Sequence, residues 1–373
     1  MNNILVLNSG SQSEKIAVFT REDKKLTSIY RGQVSIAADN QDKREEAIAD
    51  LIGKSPVAVE QFGLVGHRIV HGGSRFQKSM LATQDVLAGL RQMNELAPLH
   101  NPPAIAGVQA SIALFPNAKQ ILVFDTAFHS SMDQAHYLYP LPIEWQEYSI
   151  RKYGFHGTSH QFCSQTVAHQ LGKDLADINM ISCHLGGGSS VCAIAAGKSI
   201  DITMGFSPLD GVMMGTRCGA IDPAIIIYLL KNEKLTLSEI ELAINKKSGM
   251  LGISKLSSDM QEIHKAIADG NAQASLAHKM FCLSIAKAIA AMTTNFSHLD
   301  AIAFTGGIGF HDHATRSAIL PQGNMLGLKI DENLNQKPPT NGLISNKNSA
   351  CAIFAVEANE ELIIAQECLS LCL

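Results

Sequence analysis

The fold is decided by an apolar strand that ends in a turn of small residues, MISCHLGGGSS at residues 180–190. The same pattern opens the chain, where ILVLNSGSQS occupies residues 4–13. A second apolar strand follows each turn, at residues 15–19 and 191–195. Because strand, small-residue turn and returning strand occur twice, the sequence predicts a duplicated α/β domain.

The two copies lie at a nearly equal spacing. Aligning Asn8 with His184 gives an offset of 184 − 8 = 176 residues. A further pair of strands, ILVFD at 121–125 and AIAFT at 301–305, gives 305 − 125 = 180 residues. Sequence identity between the copies is low, so a chance similarity is the alternative to a duplication.

Helical patterns separate these strands. Residues 273–294 carry apolar side chains at three- and four-residue spacing, and a shorter pattern of this kind covers residues 360–368. Strands that alternate with helices predict a largely buried sheet in each half. Pro102-Pro103 predicts a turn, and the segment 140–142 predicts a boundary region between the halves.

Composition and charge exclude several classes of protein. The 373 residues are 46% hydrophobic and 17% charged, which is typical of a globular chain. A formal net charge of −4 predicts no nucleic-acid partner and no membrane partner. The chain enters an apolar strand without a basic lead, so we expect no secretory signal, and no apolar stretch suggests a membrane span. The eight cysteines form no C-x-x-C pair, which is typical of reduced thiols in a cytoplasmic protein.

Three loops of small residues follow strands, at residues 8–13, 184–190 and 305–309. Glycine and serine at such positions let backbone N–H groups approach a phosphate closely. A tight turn uses the same residues, so one loop alone is ambiguous. Three loops, two of them at repeat-related positions, favour phosphate binding, although neither a Walker motif nor a dinucleotide fingerprint occurs.

Four polar residues stand in surroundings that suit an active site: Arg68, Arg217, His156 and Asp125. Each arginine lies among small and apolar residues, where it is either paired with a buried acid or receives a ligand anion. Small neighbours leave His156 open to a ligand, and a buried, hydrogen-bonded histidine is the alternative. Asp125 follows an apolar strand, where open α/β sheets bind ligands, and a helix N-cap is the alternative.

Several long motifs resemble the acetate kinase (acetokinase) family over essentially the whole chain. In order they are NSGSQSEK (8–15), VGHRIVHGG (65–73), APLHNPPAI (97–105), VFDTAFH (123–129), KYGFHGTSH (152–160), HLGGGSS (184–190), MGFSPLDGVMMGTRCG (204–219), SGMLGIS (248–254) and NEELIIA (359–365). The resemblance implies an α/β fold of two duplicated ribonuclease H-like (actin-like ATPase) domains with an active-site cleft between the domains. The N-terminal domain would comprise residues 1–126, completed by the C-terminal helix within 356–373, and the nucleotide-binding C-terminal domain would comprise residues 127–355.

The resemblance also implies the residues of the site. The catalytic residues would be Asp125, His156 and Arg217. The carboxylate substrate would be bound by Arg68, Val70, Leu99, Phe155 and Pro208. The metal, Mg²⁺ or Mn²⁺ in its place, would be held by Asn8 and Glu360. The nucleotide, ATP or ADP, would contact Lys15, His184, Leu185, Gly186, Gly187, Gly188, Asp259, Met260, Gln261, Gly307, Ile308, Gly309, Phe310 and His311.

The activity implied is reversible, Mg-dependent transfer of a phosphoryl group from ATP to acetate, giving acetyl phosphate and ADP, in a cytoplasmic homodimer. A carboxylate nucleophile has no proton to lose, so arginines, a histidine and a metal suffice without a general base. Val70 favours acetate, with propionate a slower substrate, because relatives that prefer propionate have a smaller residue there. The alternatives are a propionate kinase, an enzyme with another phosphoryl donor, and a catalytically weak sensor of nucleotide or acyl phosphate.

Four departures from the family pattern fall on the nucleotide side. Gly187 replaces an asparagine, Ala220 replaces an acid, Gln261 replaces an arginine, and Phe310-His311 replaces Glu-Asn. The motifs of the carboxylate side match the family throughout. We therefore expect an acyl site of the family type, and a nucleotide affinity or donor choice that differs from the family's.

Overall fold

The computed structural model describes residues 2–10, 13–23, 25–36, 43–98, 100–321 and 324–372. The chain divides into two compact units, one of residues 1–130 with 359–373 and the other of residues 131–358. The sequence analysis placed these boundaries at 126/127 and 355/356.

Strands and helices alternate through both units, and they are numbered here along the chain. The strands are β1 (Asn3–Ser9), β2 (Ser13–Glu22), β3 (Lys25–Ser35), β4 (Phe62–Ile69), β5 (Met80–Leu81), β6 (Lys119–Phe124), β7 (Asn179–Leu185), β8 (Ser189–Ala195), β9 (Lys198–Ile202), β10 (Ala301–Thr305) and β11 (Ala352–Ala355). The helices are α1 (Arg44–Gly53), α2 (Gln84–Gln92), α3 (Asn101–Leu114), α4 (Gln134–Tyr137), α5 (Gly157–Leu171), α6 (Pro223–Lys231), α7 (Leu237–Lys246), α8 (Gly249–Ser254), α9 (Met260–Ala268), α10 (Ala272–Met292), α11 (Gly306–His311), α12 (His313–Ile319), α13 (Glu332–Gln336) and α14 (Glu360–Cys372).

The sheet of the first unit has the strand order β3-β2-β1-β4-β6-β5. Strands β1, β2 and β3 are antiparallel neighbours, whereas β1, β4 and β6 run parallel. One face packs on α14 through Ile364 and Cys368, and the other packs on α1. Gly66 in β4 makes the first contact possible, because a Cβ there would lie 2.6 Å from Cys368 Sγ and from Ile364 Cγ2. The C-terminal helix is therefore part of the first unit's core.

The sheet of the second unit has the order β9-β8-β7-β10-β11. Its core includes Ile181 and Cys183 of β7 and the fully buried Phe281, Ile285 and Ile289 of α10. Within the described ranges one segment, Ala272–Asn295, is long and apolar enough to span a membrane by length and composition alone, which the sequence analysis did not expect. The buried face of α10 is what the core helix of a globular unit presents.

The first half of the predicted repeat is confirmed. Strands β7, β8 and β9 repeat the antiparallel order of β1, β2 and β3, and β10 lies parallel to β7 as β4 lies parallel to β1. The second pair of strands in the predicted repeat is wrong: the sequence analysis aligned residues 121–125, which lie at the end of β6, with residues 301–305, which form β10. By position in the sheet β10 corresponds to β4, and β6 corresponds to β11. Short buried strands look alike in sequence, and their partners depend on contacts far along the chain.

Two local predictions are corrected. Pro102 and Pro103 begin helix α3 instead of forming a turn, since proline fits the first turn of a helix, where its missing N–H costs no hydrogen bond. The loop predicted at 305–309 is mostly helix, because α11 starts at Gly306 directly after β10. The predicted helices at 273–294 and 360–368 are confirmed as α10 and α14, with slightly different ends.

Candidate active site

The carboxyl edge of the first unit's sheet brings three predicted residues side by side. Asn8 lies near the C-terminal end of β1, and Arg68 lies near the C-terminal end of β4. Asp125 directly follows β6. Strand register aligns Leu7 with His67 and Arg68 with Val123, so these polar positions lie at one edge. Ligands of parallel sheets bind at this edge, beyond the ends of the strands.

Arg68 and Asp125 form a bidentate ion pair. Arg68 Nε donates to both carboxylate oxygens of Asp125 at 2.9 and 3.1 Å, and Nη2 donates to Oδ2 at 2.7 Å. Asp125 is only 1% exposed. Glu360 is the first residue of α14, and its Oε2 lies 3.6 Å from Arg68 Nη1. Arg68 is therefore paired with a buried acid, and its binding of a ligand anion stays a prediction. Both oxygens of Asp125 accept hydrogen bonds from Arg68.

Burial and charge act against each other in this group. Burial alone would lower the pKa of Arg68, but the carboxylates of Asp125 and Glu360 outweigh it and raise the pKa. Burial raises the pKa of Asp125, which the guanidinium of Arg68 opposes. The net pKa of Asp125 is raised, so the guanidinium is a permanent cation whose charge opposes the effect of burial on this carboxyl without cancelling it.

The donor set at this edge fits a small hard cation. Asn8 and Glu360 offer amide and carboxylate oxygens, the ligands that Mg²⁺ and Mn²⁺ prefer. Both oxygens of Asp125 already accept hydrogen bonds from Arg68. The described residues contain no group of three or more His, Cys, Asp or Glu arranged to hold a metal. Asn8 and Glu360 would hold such a cation, which would supply positive charge for a substrate phosphate.

The remaining predicted residues of the first unit fall at different places. Val70 directly follows β4 and is half-buried, and Lys15 is an exposed residue of β2 in register with Asn8. Leu99 lies outside the described residues. Sequence reasoning missed Asn101, which holds the segment after β4 in place through two hydrogen bonds. Its Oδ1 accepts from the His71 N–H at 3.2 Å, and its Nδ2 donates to the His71 carbonyl at 2.9 Å.

In the second unit His156 belongs to a network of imidazoles and hydroxyls. Its Nδ1 lies 2.9 Å from Ser190 Oγ, and its ring stacks on that of His184 with centroids 4.2 Å apart. His160 bridges Ser190 and Ser182 at 2.8 and 2.9 Å. His156 stands before α5 with a left-handed backbone, φ +58°. The fixed Nδ1 contact orients the ring, so that Nε2 is turned toward Gly188, where a Cβ would lie 3.2 Å away.

The sequence signal for this network was the four-residue spacing of His156 and His160 in the motif KYGFHGTSH, followed by hydroxyls in β7 and β8. Sequence reasoning named His156 but missed His160, Ser182 and Ser190.

Arg217 reaches the same place as His156. A Cβ on Gly188 would lie 2.5 Å from Arg217 Nη2. Its Nη1 donates to the carbonyl of Pro208 at 2.6 Å, and among the described residues it forms no ion pair. Burial lowers the pKa of Arg217. Phe155, which was predicted to bind the substrate, directly precedes His156 in the chain, and its side chain is buried. A partly buried guanidinium with a carbonyl but no acid partner is suited to receive an anion.

A cavity of about 960 Å³ opens next to this group in the second unit. It is lined by Gly186, Gly187, Ser258, Asp259, Met260, Gln261, His264, Gly307, Ile308, His311, Asp312, His313 and Ala314. Eight of these residues were predicted to contact nucleotide, namely Gly186, Gly187, Asp259, Met260, Gln261, Gly307, Ile308 and His311. The structure does not place His184, Leu185, Gly188, Gly309 or Phe310 in this lining. Sequence reasoning missed His264, which no motif marked.

Comparison with known proteins agrees with this geometry. The profile described as "Acetokinase family" matches residues 3–366. The acetate kinase of Pseudothermotoga lettingae is 47% identical over 310 residues, which cover 83% of this chain and 76% of that protein. A propionate kinase from Francisella tularensis has a TM-score of 0.90 at 37% identity, covering 99% of this chain and 100% of the other. The Porphyromonas gingivalis acetate kinase has a TM-score of 0.90 at 33% identity, covering 100% of both chains.

Family, fold and site geometry thus agree: the fold is that of the acetate kinases, with their actin-like ATPase architecture, and this chain belongs to the acetokinase family, whose members are phosphotransferases.

Proposed function

We propose that this protein is an acetate kinase, which transfers a phosphoryl group reversibly between ATP and acetate. The observation that supports this most directly is the partly buried Arg217 guanidinium, which has no acid partner among the described residues and lies beside His156 at the glycine turn. Relatives at 47% and 40% identity that carry the name acetate kinase support the choice of acetate.

The chemistry asks for alignment and charge stabilisation. In phosphoryl transfer to a carboxylate the nucleophile is already ionised, and negative charge spreads over the oxygens of the migrating group. Arg217 and His156 would donate to those oxygens, which are more strongly bound in the transition state than in the ground state. Removing either group should cost on the order of 10²–10³-fold in rate.

In the first unit, Arg68 would bind the acetate carboxylate and the migrating group, and Asp125 would hold the guanidinium in place. Val70 would limit the length of the substrate, so that propionate reacts more slowly than acetate. Mg²⁺ or Mn²⁺, when held by Asn8 and Glu360, would neutralise phosphate charge. These roles follow from the family resemblance and from the hydrogen bonds of Arg68.

ATP and ADP are the proposed nucleotide substrates. A cavity of about 960 Å³ suits a nucleotide, since ligand pockets measure roughly 300–1,000 Å³. Gly187 at its edge has no side chain to keep a phosphate oxygen from the backbone, whereas the Gly186 N–H already donates to Ser189 Oγ at 3.4 Å. This space supports a nucleotide donor over a small inorganic donor, in spite of the replaced residues Gln261 and Phe310.

We also propose a cytoplasmic homodimer. Helix α6 is apolar over eight of its nine residues, yet none of them is buried. Ile225, Ile227 and Tyr228 are 48%, 52% and 60% exposed. A helix that is apolar on all sides is normally covered, and the family resemblance makes a second copy of this chain the partner. Light scattering should therefore give twice the mass of one chain, and Tyr228→Asp should give monomers; a monomeric wild type would refute the proposal.

The deciding experiment is acyl-phosphate formation from acetate and Mg-ATP, trapped with hydroxylamine. We expect rapid product with acetate, slower product with propionate and none with pyrophosphate as donor. Arg217→Ala should lose the activity and remain folded with only a small drop in its thermal midpoint, because it removes the hydrogen bond to the Pro208 carbonyl but no ion pair among the described residues. Product from pyrophosphate but not from ATP would show that the proposed nucleotide donor is wrong. No product with any donor would favour a catalytically weak sensor of nucleotide or acyl phosphate.

A further inference from the structure

A histidine and an aspartate form a close pair in the wall of the cavity. His264 Nε2 on α9 lies 2.7 Å from Asp312 Oδ2, and both residues line the cavity. Asp312 is held from its other side, since its Oδ1 accepts from the Thr315 N–H at 3.0 Å and its Oδ2 accepts from Thr315 Oγ1 at 2.5 Å. The carboxylate is thus fixed at the start of α12, and it fixes the imidazole in turn.

The described lining of the cavity contains no lysine and no arginine, so positive charge in this lining comes from histidines, and His264 is the one held by the Asp312 carboxylate. The hydrogen bond that His264 donates to the Asp312 carboxylate raises the pKa of His264, although burial opposes this shift. Burial alone would raise the pKa of Asp312, but hydrogen bonds from His264 and Thr315 outweigh it and lower the pKa to about 2. Near neutral pH the cavity therefore contains an imidazole that holds a second proton more firmly than a free histidine does.

A second histidine, His278, packs against His264 but differs from it in the direction of its pKa shift. His278 on α10, with its ring 5.0 Å from that of His264, has a pKa lowered by burial and by the charge of His264. Its Nε2 contacts Thr315 Oγ1 at 3.0 Å, so it supports Asp312 through the hydroxyl. The other titratable or charged groups on the cavity lining or on α9 are Asp259, Glu262, Lys265, His311 and His313.

We propose that His264 binds the nucleoside part of the phosphoryl donor through Nδ1, and that Asp312 positions it. Nε2 is taken by Asp312, so Nδ1 is the nitrogen left to a ligand, and in the imidazolium it is an N–H donor. Ribose oxygens and purine ring nitrogens are acceptors. His264 lies three residues after Gln261 on the same face of α9, and both line the cavity. The imidazolium thus supplies a cationic donor on the helix face where Gln261 is neutral. This inference rests on the proposed nucleotide site.

The test is the affinity for ADP, with Mg²⁺ present, measured by calorimetry from about pH 6 to about pH 8.5. Wild type should weaken about tenfold across this range, the loss of one charge-assisted hydrogen bond. His264→Gln should bind weakly throughout and lose this slope, and it should lack the proton uptake by the protein that accompanies binding in wild type. The matched control is His136→Gln, which removes an imidazole from a similar pair with Asp133, at 2.9 Å, away from the cavity lining. The titration of ADP itself is common to all variants and cancels in the comparison.

Asp312→Asn separates positioning from folding, because asparagine can still cap α12. We expect the wild-type affinity near the acid end of the range and the affinity of His264→Gln near neutrality, since the proton on His264 is no longer stabilised. The KM for acetate should not change in either variant. A wild-type pH profile in His264→Gln or in Asp312→Asn would overturn the inference and leave the proposed function intact. No binding of ADP by wild type would overturn both.

Discussion

Substituting alanine at Gly188 tests the arrangement of Arg217 and His156 without touching either side chain. A Cβ at Gly188 would lie 2.5 Å from Arg217 Nη2 and 3.2 Å from His156 Nε2. Ordinary contact begins at 3.4 Å, so the guanidinium must move by 3.4 − 2.5 = 0.9 Å. The other end of that guanidinium is held by the Pro208 carbonyl at 2.6 Å, so it cannot move freely. A misplacement of about 1 Å costs on the order of 10²-fold in rate, and we expect kcat to fall by that amount.

The adjacent glycine is the matched control. A Cβ at Gly187 would meet nothing within 4 Å, and neither glycine has a φ in the left-handed region. Gly187→Ala should therefore keep nearly the wild-type kcat, and any effect of its Cβ, which would enter the nucleotide cavity, should fall on the KM for ATP. Both variants should remain folded, because the atom displaced by Gly188→Ala belongs to a side chain and not to the backbone. The assay is hydroxylamine-trapped acetyl phosphate, with kcat and KM determined separately. Equal activity in the two variants would refute the reasoning, since the steric difference between the two positions would then be irrelevant to the reaction.

Three further predictions concern the first unit. Asp125→Asn leaves the guanidinium of Arg68 with a neutral partner, and it should lower the free energy of unfolding by about 3 kcal/mol in urea titrations; an unchanged midpoint would contradict this. His67 is buried, and burial lowers its pKa to about 4, against the hydrogen bond with Gln120. Its neutral form is the folded form, so stability present above pH 6.5 should be lost as pH falls toward about 4, by roughly 3 kcal/mol; His67→Gln should lack that part of the slope. Val70→Ala should shift the ratio of kcat/KM for propionate over acetate upward by about tenfold, and no shift would remove Val70 from the substrate pocket.

Much of this protein could be predicted from the order of its residues. Apolar strands that end in small-residue turns predicted the duplicated α/β units, because a buried strand needs an apolar run and a close phosphate needs glycine or serine. The spacing of apolar residues predicted α10 and α14, and motifs around Arg68, His156 and Arg217 led to the family.

The tertiary structure decided which strands are neighbours and which polar groups meet. The sequence does not state that β10 rather than β11 pairs with β7, because both are short apolar runs whose partners lie far along the chain. Arg68 and Arg217 look equivalent as motifs, yet Arg68 is paired with the buried Asp125, whereas Arg217 forms no ion pair within the described ranges.

The pair of His264 and Asp312 belongs to the same class of facts. Its members are 48 residues apart, and no local pattern links the two. Hydrogen bonds and charge depend on distances of a few ångström in space, and only the folded chain brings such residues together. Local pattern determined the elements and the family, while the charge state and pairing of the site were decided by packing.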